Sequence, residues 1–377
     1  MKQIKAAIIG IGFVGAVHIE ALRRLGYVEI IALVDEYDAE KKAEKYNIPS
    51  AFSSYKEMIN ISKPDIIHIC TPNHTHFEIA AYALNRNIHV LCEKPMTTTL
   101  EEAKALVSLA KEKKLIHAVN YHNRFYPMAH HMKETIKDGT IGKIFSIHGG
   151  YLQDWLLYPT DFNWRLVSSQ SGKTRVVSDI GAHWMDLAEY VSGLKIVEVF
   201  AEFTTFHKSR KKPVENVTTF SKSEDTTEYE EVPIDTEDFA SILLRFENGA
   251  VGSATISQAF AGKKNKLSLL IAGSTMSLEL DSDDLSNVII GHRDQPNQVL
   301  TKDLALIHTN SKKLVSYPSG HTEGFADAFK HCFNQVYQSI IDSEATIEYA
   351  TFEDGYHEML LAEKLFESAK KGCWIKL

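Results

Sequence analysis

The sequence predicts an α/β fold: a doubly wound parallel sheet in residues 1–124, then an α+β domain with an open, largely antiparallel sheet in residues 125–377. Three observations carry this. Short apolar runs alternate with helical patterns as far as residue 120. A glycine-spaced turn, Gly10-x-Gly12-x-x-Gly15, joins the first run to the first helix. From about Phe125 the pattern becomes β-rich segments separated by turn residues.

Strands are expected at Lys5–Ile9, Glu29–Asp35, Asp65–Thr71, His89–Glu93 and Ile116–Asn120. They read as near-continuous apolar runs, as strands do when helices cover both faces of a sheet. Helices are expected at Val14–Leu25, Ala39–Tyr46, Tyr55–Ile61, Phe77–Asn85 and Leu100–Lys113. Ser54-x-x-Glu57 and Thr99-x-x-Glu102 are capping boxes, in which a hydroxyl and a carboxylate satisfy first-turn N–H groups. Alternation of strand and helix implies parallel strands with right-handed crossovers.

In that context the glycines have separate tasks. Gly10 permits the turn, Gly12 lets the backbone approach a pyrophosphate, and Gly15 lets helix pack on strand, with Phe13 and Val14 completing the cradle. Asp35 ends the second strand 20 residues after Gly15, where a carboxylate takes a ribose 2′-OH. This is the fingerprint of a Rossmann dinucleotide domain. A 2′-phosphate ~4 Å from that carboxylate would be repelled by roughly 4 kcal/mol per charge pair. No arginine follows within four residues, so NAD is favoured over NADP, with Lys41 or Lys42 able to soften the preference.

Composition narrows the function. The 377 residues, 44% hydrophobic and 24% charged, are those of a globular chain with ample core. A net charge of −8 argues against nucleic acid or an anionic membrane as partner. Lys2 and Lys5 ahead of an apolar run imitate a signal peptide, but the glycine spacing and Arg23–Arg24 oppose export and spanning. Cys70, Cys92, Cys332 and Cys373 form no C-x-x-C and suit a reducing, cytoplasmic setting; no metal site is expected. The polar stretch 207–231 is read as a long solvated hairpin connection.

Two further segments bear chemistry. The run 89-HVLCEKPM-96 ends in Lys94–Pro95, and the C-terminal edge of such a sheet is where ligands bind, which puts Lys94 near the nicotinamide end of a cofactor. In 178-SDIGAHWMDLAEYVSG-193, read as one helix, Asp179, His183, Asp186 and Tyr190 make a polar stripe beside the apolar Ile180, Trp184, Leu187 and Val191. The polar stripe is either a solvated face or the wall of a site.

The glycine fingerprint, 70-CTPNHTH-76, 92-CEKPM-96, 120-NYHNRFYP-127 and D-x-x-x-H at Asp179 and His183 together resemble the Gfo/Idh/MocA oxidoreductases, among them glucose–fructose oxidoreductase and inositol 2-dehydrogenase. The resemblance extends over nearly the whole chain. It implies that Lys94 binds the reacting hydroxyl, that His183 is the general acid/base, and that Asp179 orients the histidine or holds a substrate hydroxyl. Thr71, Pro72, Asn73, His76 and Glu93 would line the cofactor, and Pro95 would follow a cis peptide bond. Trp164 and Arg165 resemble a pair that reaches toward cofactor or substrate. Arg124, Asp154 and Asp186 are further substrate candidates. The chemistry agrees: oxidising an alcohol needs a base for the O–H proton, and a histidine with a pKa of about 6.5 suits that task near neutrality.

In the second domain, β-rich segments are expected at 143–152, 196–206, 238–246, 250–260, 267–280 and 287–294, with helices on one side, and a last helix at about Phe352–Lys370 packs back onto the core. The resemblance implies that the other face of this sheet pairs in a homodimer or homotetramer. The run 151-YLQDWLLYPTDFNWR-165 would line a sugar or polyol pocket, Trp155 and Trp164 being equally readable as core. Two rivals compete with a sugar or inositol dehydrogenase: a non-catalytic NAD(P)-binding regulator or sugar sensor on the same fold, and a reductase of an imine or bilin. Retention of Lys94, Asp179 and His183 opposes both.

Overall fold

A computed structural model describes residues 3–214 and 228–377. The chain forms two compact units, one of residues 1–122 and 325–359, the other of 123–324 and 360–377.

In the first unit the order is β1 (Ile4–Ile9), α1 (Phe13–Arg23), β2 (Val28–Val34), α2 (Ala39–Lys45), β3 (Ala51–Phe52), α3 (Tyr55–Ser62), β4 (Ile66–Ile69), α4 (His76–Leu84), β5 (His89–Cys92), α5 (Leu100–Lys113) and β6 (His117–Val119). The six strands lie β3-β2-β1-β4-β5-β6, and every pairing is parallel. The order reverses between β1 and β4, which opens a crevice at the carboxyl ends of those two strands. Ile8, Ile67 and Leu91, one from each central strand, are fully buried. Both expected caps form: Ser54 Oγ accepts from Glu57 N–H at 3.5 Å and Thr99 Oγ1 from Glu102 N–H at 3.2 Å.

The second unit contains α6 (Pro127–Lys137), β7 (Ile144–Leu152), α7 (Ser168–Ser171), α8 (Ala182–Ser192), β8 (Ile196–Thr204), β9 (Ser209–Pro213), β10 (Tyr229–Pro233), β11 (Phe239–Phe246), β12 (Val251–Ser257), β13 (Lys266–Gly273), β14 (Ser277–Asp281), β15 (Asn287–Gly291) and β16 (Gln298–Thr301). Then come α9 (Phe325–Ile341), α10 (Phe352–Lys371) and β17 (Ile375–Lys376). The nine-stranded sheet runs β16-β15-β14-β13-β7-β12-β11-β8-β17 and is antiparallel except between β7 and β12. Strands β9 and β10 form a separate antiparallel ribbon. Residues 215–227, the middle of the polar 207–231 stretch, lie outside the described residues.

Three features differ from expectation. The units do not follow one cut at 124/125: residues 325–359 return to the first unit, because the Phe325, Phe329 and Phe333 edge of α9 packs on His18 of α1 and His122. The segment 267–280 is a hairpin rather than one strand, since Gly273 N–H bonds back to Met276 C=O across the turn. Helix α6, with Pro127 in its first turn, lies ahead of the first expected β-rich segment and in no expected element; the buried His130 and His131 interrupt its apolar face.

Candidate functional site

The first unit builds a polar edge where β1, β4 and β5 end. Gly10 has φ +89°, and a Cβ there would stand 2.9 Å from the backbone of Cys70 and from Thr71 Cγ2. At Gly15 a Cβ would stand 2.1 Å from the carbonyl oxygen of Gly10, so α1 packs this close only with glycine. At Gly12 the same atom meets nothing within 4 Å. Gly12 is also the N-cap of α1, and no side chain caps the first turn. Two glycines thus serve the fold, while the third leaves open space before a helix N-terminus, where phosphate is favoured. A dinucleotide pyrophosphate fits that cradle. Phe13 is half exposed beside it and Val14 is partly buried.

Asp35 is fixed by three partners. Its Oδ2 accepts from Ile11 N–H at 2.7 Å, its Oδ1 from Tyr37 N–H at 3.0 Å, and Lys42 Nζ lies 2.7 Å from Oδ1. The carboxylate therefore pins the glycine turn to the end of β2. The Lys42 partner also reduces the charge that would repel a 2′-phosphate, while Lys41 pairs with Asp38 instead.

Beyond β4, Thr71, Pro72 and Asn73 form the rim. Thr71 and Thr75 hydroxyls are 2.6 Å apart, and the Thr75 hydroxyl donates to Pro72 C=O. His76 is fully buried beneath, its ring nitrogens 2.8 Å from Thr71 C=O and 2.9 Å from Pro95 C=O. It braces two rims of the edge through backbone. Burial pushes its pKa down, against the pull of those carbonyls and of Glu93.

The Lys94–Pro95 bond is cis. Glu93, one residue before, is buried and accepts from His18 Nε2 at 2.9 Å and Asn120 Nδ2 at 2.5 Å. Burial alone would raise its pKa; the His18 contact and charge, Lys94 and Asn120 outweigh it and hold the carboxyl at about 2. His122, also buried, is pushed down to about 3 by burial, with Lys94 and His18 adding to the effect and Glu93 opposing it.

The second unit frames a different cluster. Residues Val177–Gly181 form a π-turn that runs into α8, so Asp179 is displaced from the regular helical stripe of His183, Asp186 and Tyr190. That stripe is no solvated face: His183 is 4% and Asp186 2% exposed. Asp179 accepts from Arg165 Nε at 3.2 Å and from Gln258 Nε2 at 2.6 Å. Gln258 is itself held, its Oε1 accepting from Arg175 at 2.8 Å. Arg175 pairs with Asp238, which also takes Arg210 at 2.8 Å, all three side chains fully buried. Glu237 closes the arrangement by accepting the backbone N–H groups of Arg175 and Val177. His183 has the Tyr151 ring 6.3 Å away, and Tyr151 is anchored by its hydroxyl to Asn265 at 2.9 Å.

The remaining sequence candidates divide. The Arg165 guanidinium lies 4.5 Å from the Trp164 ring centre and Arg165 reaches Asp179, so this pair belongs to the second unit's cluster. Arg124 and Asp186, expected on substrate, are engaged with each other: Arg124 Nε lies 2.9 Å from Asp186 Oδ2 and both groups are buried. Such a pair ties the start of α6 to α8. Asp154 accepts from Gly262 N–H and pairs with Lys264 at 2.8 Å. Trp155 packs on the core cluster of Leu156, Leu166 and Ile234.

Sequence reading missed His18, His68, Tyr337, Arg175, Glu237 and Gln258. For the two histidines a signal existed: each is the one strongly polar side chain inside an apolar run, 14-VGAVHI-19 and 66-IIHIC-70.

Residues 4–121 match the family model described as oxidoreductase family, NAD-binding Rossmann fold, and residues 129–279 match the GFO/IDH/MocA C-terminal domain. Levoglucosan dehydrogenase of Pseudarthrobacter phenanthrenivorans is 27% identical over 100% of this chain and 98% of its own. D-glucoside 3-dehydrogenase of Escherichia coli is 29% identical over 52% of this chain and 56% of its own. Among solved structures, levoglucosan dehydrogenase in complex with NADH and L-sorbose superimposes with a TM-score of 0.89 at 25% identity, covering 100% of this chain and 99% of that one.

Proposed function

Since the chain belongs to the Gfo/Idh/MocA oxidoreductases, we propose that it is a NAD-dependent dehydrogenase acting on a secondary hydroxyl of a sugar, glycoside or inositol. The observation that carries this reading is in the first unit. The open Gly12 cradle and Lys94 stand at the same carboxyl edge of one parallel sheet. Relatives named for levoglucosan, D-glucosides and myo-inositol support the substrate class.

The cofactor, when bound, supplies the hydride acceptor. This chain's residues do the rest. The Lys94 ammonium stabilises negative charge on the reacting oxygen, an effect worth roughly 3–4 kcal/mol when such a donor is removed. The His183 imidazole accepts the hydroxyl proton. Asp179 is held at two oxygens by Arg165 and Gln258 and so presents a fixed negative charge in the second unit. Gly12 backbone and the first turn of α1 take the pyrophosphate, and Asp35 takes the ribose. Trp164 and Arg165 are offered to cofactor or substrate, as the family resemblance implies.

Self-association through the second unit's sheet is part of the same reading. Pairing registers align Phe200, Leu243, Ser253, His148, Leu270, Glu279, Ile289 and Val299 in one row across eight strands. Leu243, Leu270, Ile289 and Val299 in that row are exposed, as suits a face that pairs with a copy of itself. No helix among the described residues is long and apolar enough to cross a membrane. A cytoplasmic setting belongs to this reading, as the cysteine spacing of the sequence suits.

The test is reduction of NAD, followed by absorbance, over a panel of inositols, hexoses, anhydrosugars and glycosides. Turnover of at least one class is expected. Tight NAD binding with no turnover across the panel would favour a cofactor-binding regulator instead.

A further inference from the structure

Behind Lys94 the first unit contains buried polar side chains that the proposed reaction does not use. They form a line. His18 Nε2 lies 2.9 Å from Glu93 Oε1, His18 Nδ1 lies 2.8 Å from His68 Nδ1, and His68 Nε2 lies 2.9 Å from the Tyr337 hydroxyl. His18, His68 and Tyr337 are fully buried. Phe333 flanks both imidazoles, with ring centres 4.6 Å from His18 and 4.9 Å from His68. Apolar side chains would fill that space at less cost, since each buried polar group must be satisfied.

The proton positions follow from pairing rules. Two ring nitrogens 2.8 Å apart share one proton, because two lone pairs or two N–H groups would repel. In the form in which His18 carries one proton, that proton sits on Nε2 and is donated to the ionised Glu93. Its Nδ1 then accepts, so His68 carries its proton on Nδ1. His68 Nε2 is left to accept the Tyr337 O–H. Every donor in the line points toward Glu93. One added proton on His18 Nδ1 would invert the inner bonds: His68 would move its proton to Nε2 and Tyr337 would become the acceptor.

We propose that His18, His68 and Tyr337 are positioning residues that hold Glu93 as an anion from inside the domain and thereby fix the field around the neighbouring Lys94. The role of Lys94 in this statement rests on the dehydrogenase reading. Glu93 faces His18 and feels Lys94, and His122 lies in the field of all three, while Cys70, Cys92 and His76 lie in the field of Glu93. Tyr337 feels Tyr27 and Asp65.

Tyr337→Phe tests this, since it removes one oxygen and keeps the ring. Protein labelled with 15N in histidine is studied free of cofactor and substrate at about pH 7.5, above the ordinary histidine range. The wild type is expected to show His18 protonated on Nε2 and His68 on Nδ1. In Tyr337→Phe the His68 tautomer should become mixed, and the His18 signals should move although Tyr337 does not bond to His18. With substrate, kcat should fall about tenfold while KM for NAD stays within about twofold. His18→Gln should lower kcat further. Unchanged His18 signals in Tyr337→Phe would overturn the relay. Changed signals with an unchanged kcat would overturn its influence on Lys94. The spectra need no turnover, so failure to find a substrate would count against the dehydrogenase reading alone.

Discussion

The glycine edge of the first unit and the Asp179 cluster of the second are built by opposite means. The first uses backbone: glycines at three offsets, carbonyls bridged by His76, and Asp35 pinning a turn through N–H groups. The second uses side chains from distant segments, with Arg175, Asp238, Arg210 and Gln258 converging behind Asp179. Backbone geometry needs particular residues at short spacing. A side-chain lattice needs only some residue of the right charge wherever the fold brings it. The first kind is open to binding at low structural cost; the second is costly to disturb.

The largest expected effect that sharpens this contrast is in the second unit. Arg175→Ala leaves Asp238 short of one of its two guanidinium partners and Gln258 without its donor. Removing one partner of a buried ion pair typically costs about 3–5 kcal/mol, so urea unfolding should show the second unit lost first; a change under about 1 kcal/mol would break the comparison.

A pair of glycine variants comes next. Gly15→Ala forces a contact at 2.1 Å with the carbonyl of Gly10 and should lower the melting temperature clearly. Gly12→Ala meets open space and should leave it within about 2 °C, yet weaken NAD at least tenfold, about 1.4 kcal/mol. Equal thermal losses in calorimetry would mean that Gly12 serves packing too.

A smaller effect is expected at Gln258. Gln258→Leu removes the 2.6 Å hydrogen bond to Asp179 while keeping bulk, and kcat should fall about tenfold with NAD affinity unchanged. Stopped-flow rates matching the wild type would remove Gln258 from any part in the reaction.

Acid should separate the units more gently. His122 has its pKa depressed from 6.5 to about 3, and Glu93 from 4.5 to about 2. In both cases the unfolded chain takes up the proton first. The stability they contribute is complete above the ordinary pKa and is lost as pH falls, from about 6.5 toward 3 for His122 and from 4.5 toward 2 for Glu93. In the second unit burial depresses His131 to about 4 but raises Glu237, and the two act in opposite directions. Hydrogen exchange at about pH 5 against about pH 7 should therefore show a larger loss of protection in the first unit. Equal losses would count against this balance of charges.

This contrast also explains what could be read from the sequence. The parallel sheet, the glycine cradle and both capping boxes depend on residues close in the chain. The Arg175–Gln258 bond spans 83 residues and the Tyr337–His68 bond 269, so no local pattern announces them. The return of α9 to the first unit was hidden for the same reason: its aromatic edge looks like any amphipathic helix until its partners are known. Arg124 and Asp186 pair with each other, and a buried ion pair and a substrate-binding pair present the same residue types in a sequence.

The central claim is that Lys94 acts on the reacting hydroxyl rather than on the nucleotide. It is tested by measuring kcat/KM for the best panel substrate and the NAD dissociation constant in Lys94→Ala beside the wild type. The account predicts a fall in kcat/KM of about 10²–10³, as for loss of one preorganised donor, with NAD affinity within a few-fold. Turnover close to wild type, or a loss confined to NAD binding, would contradict it.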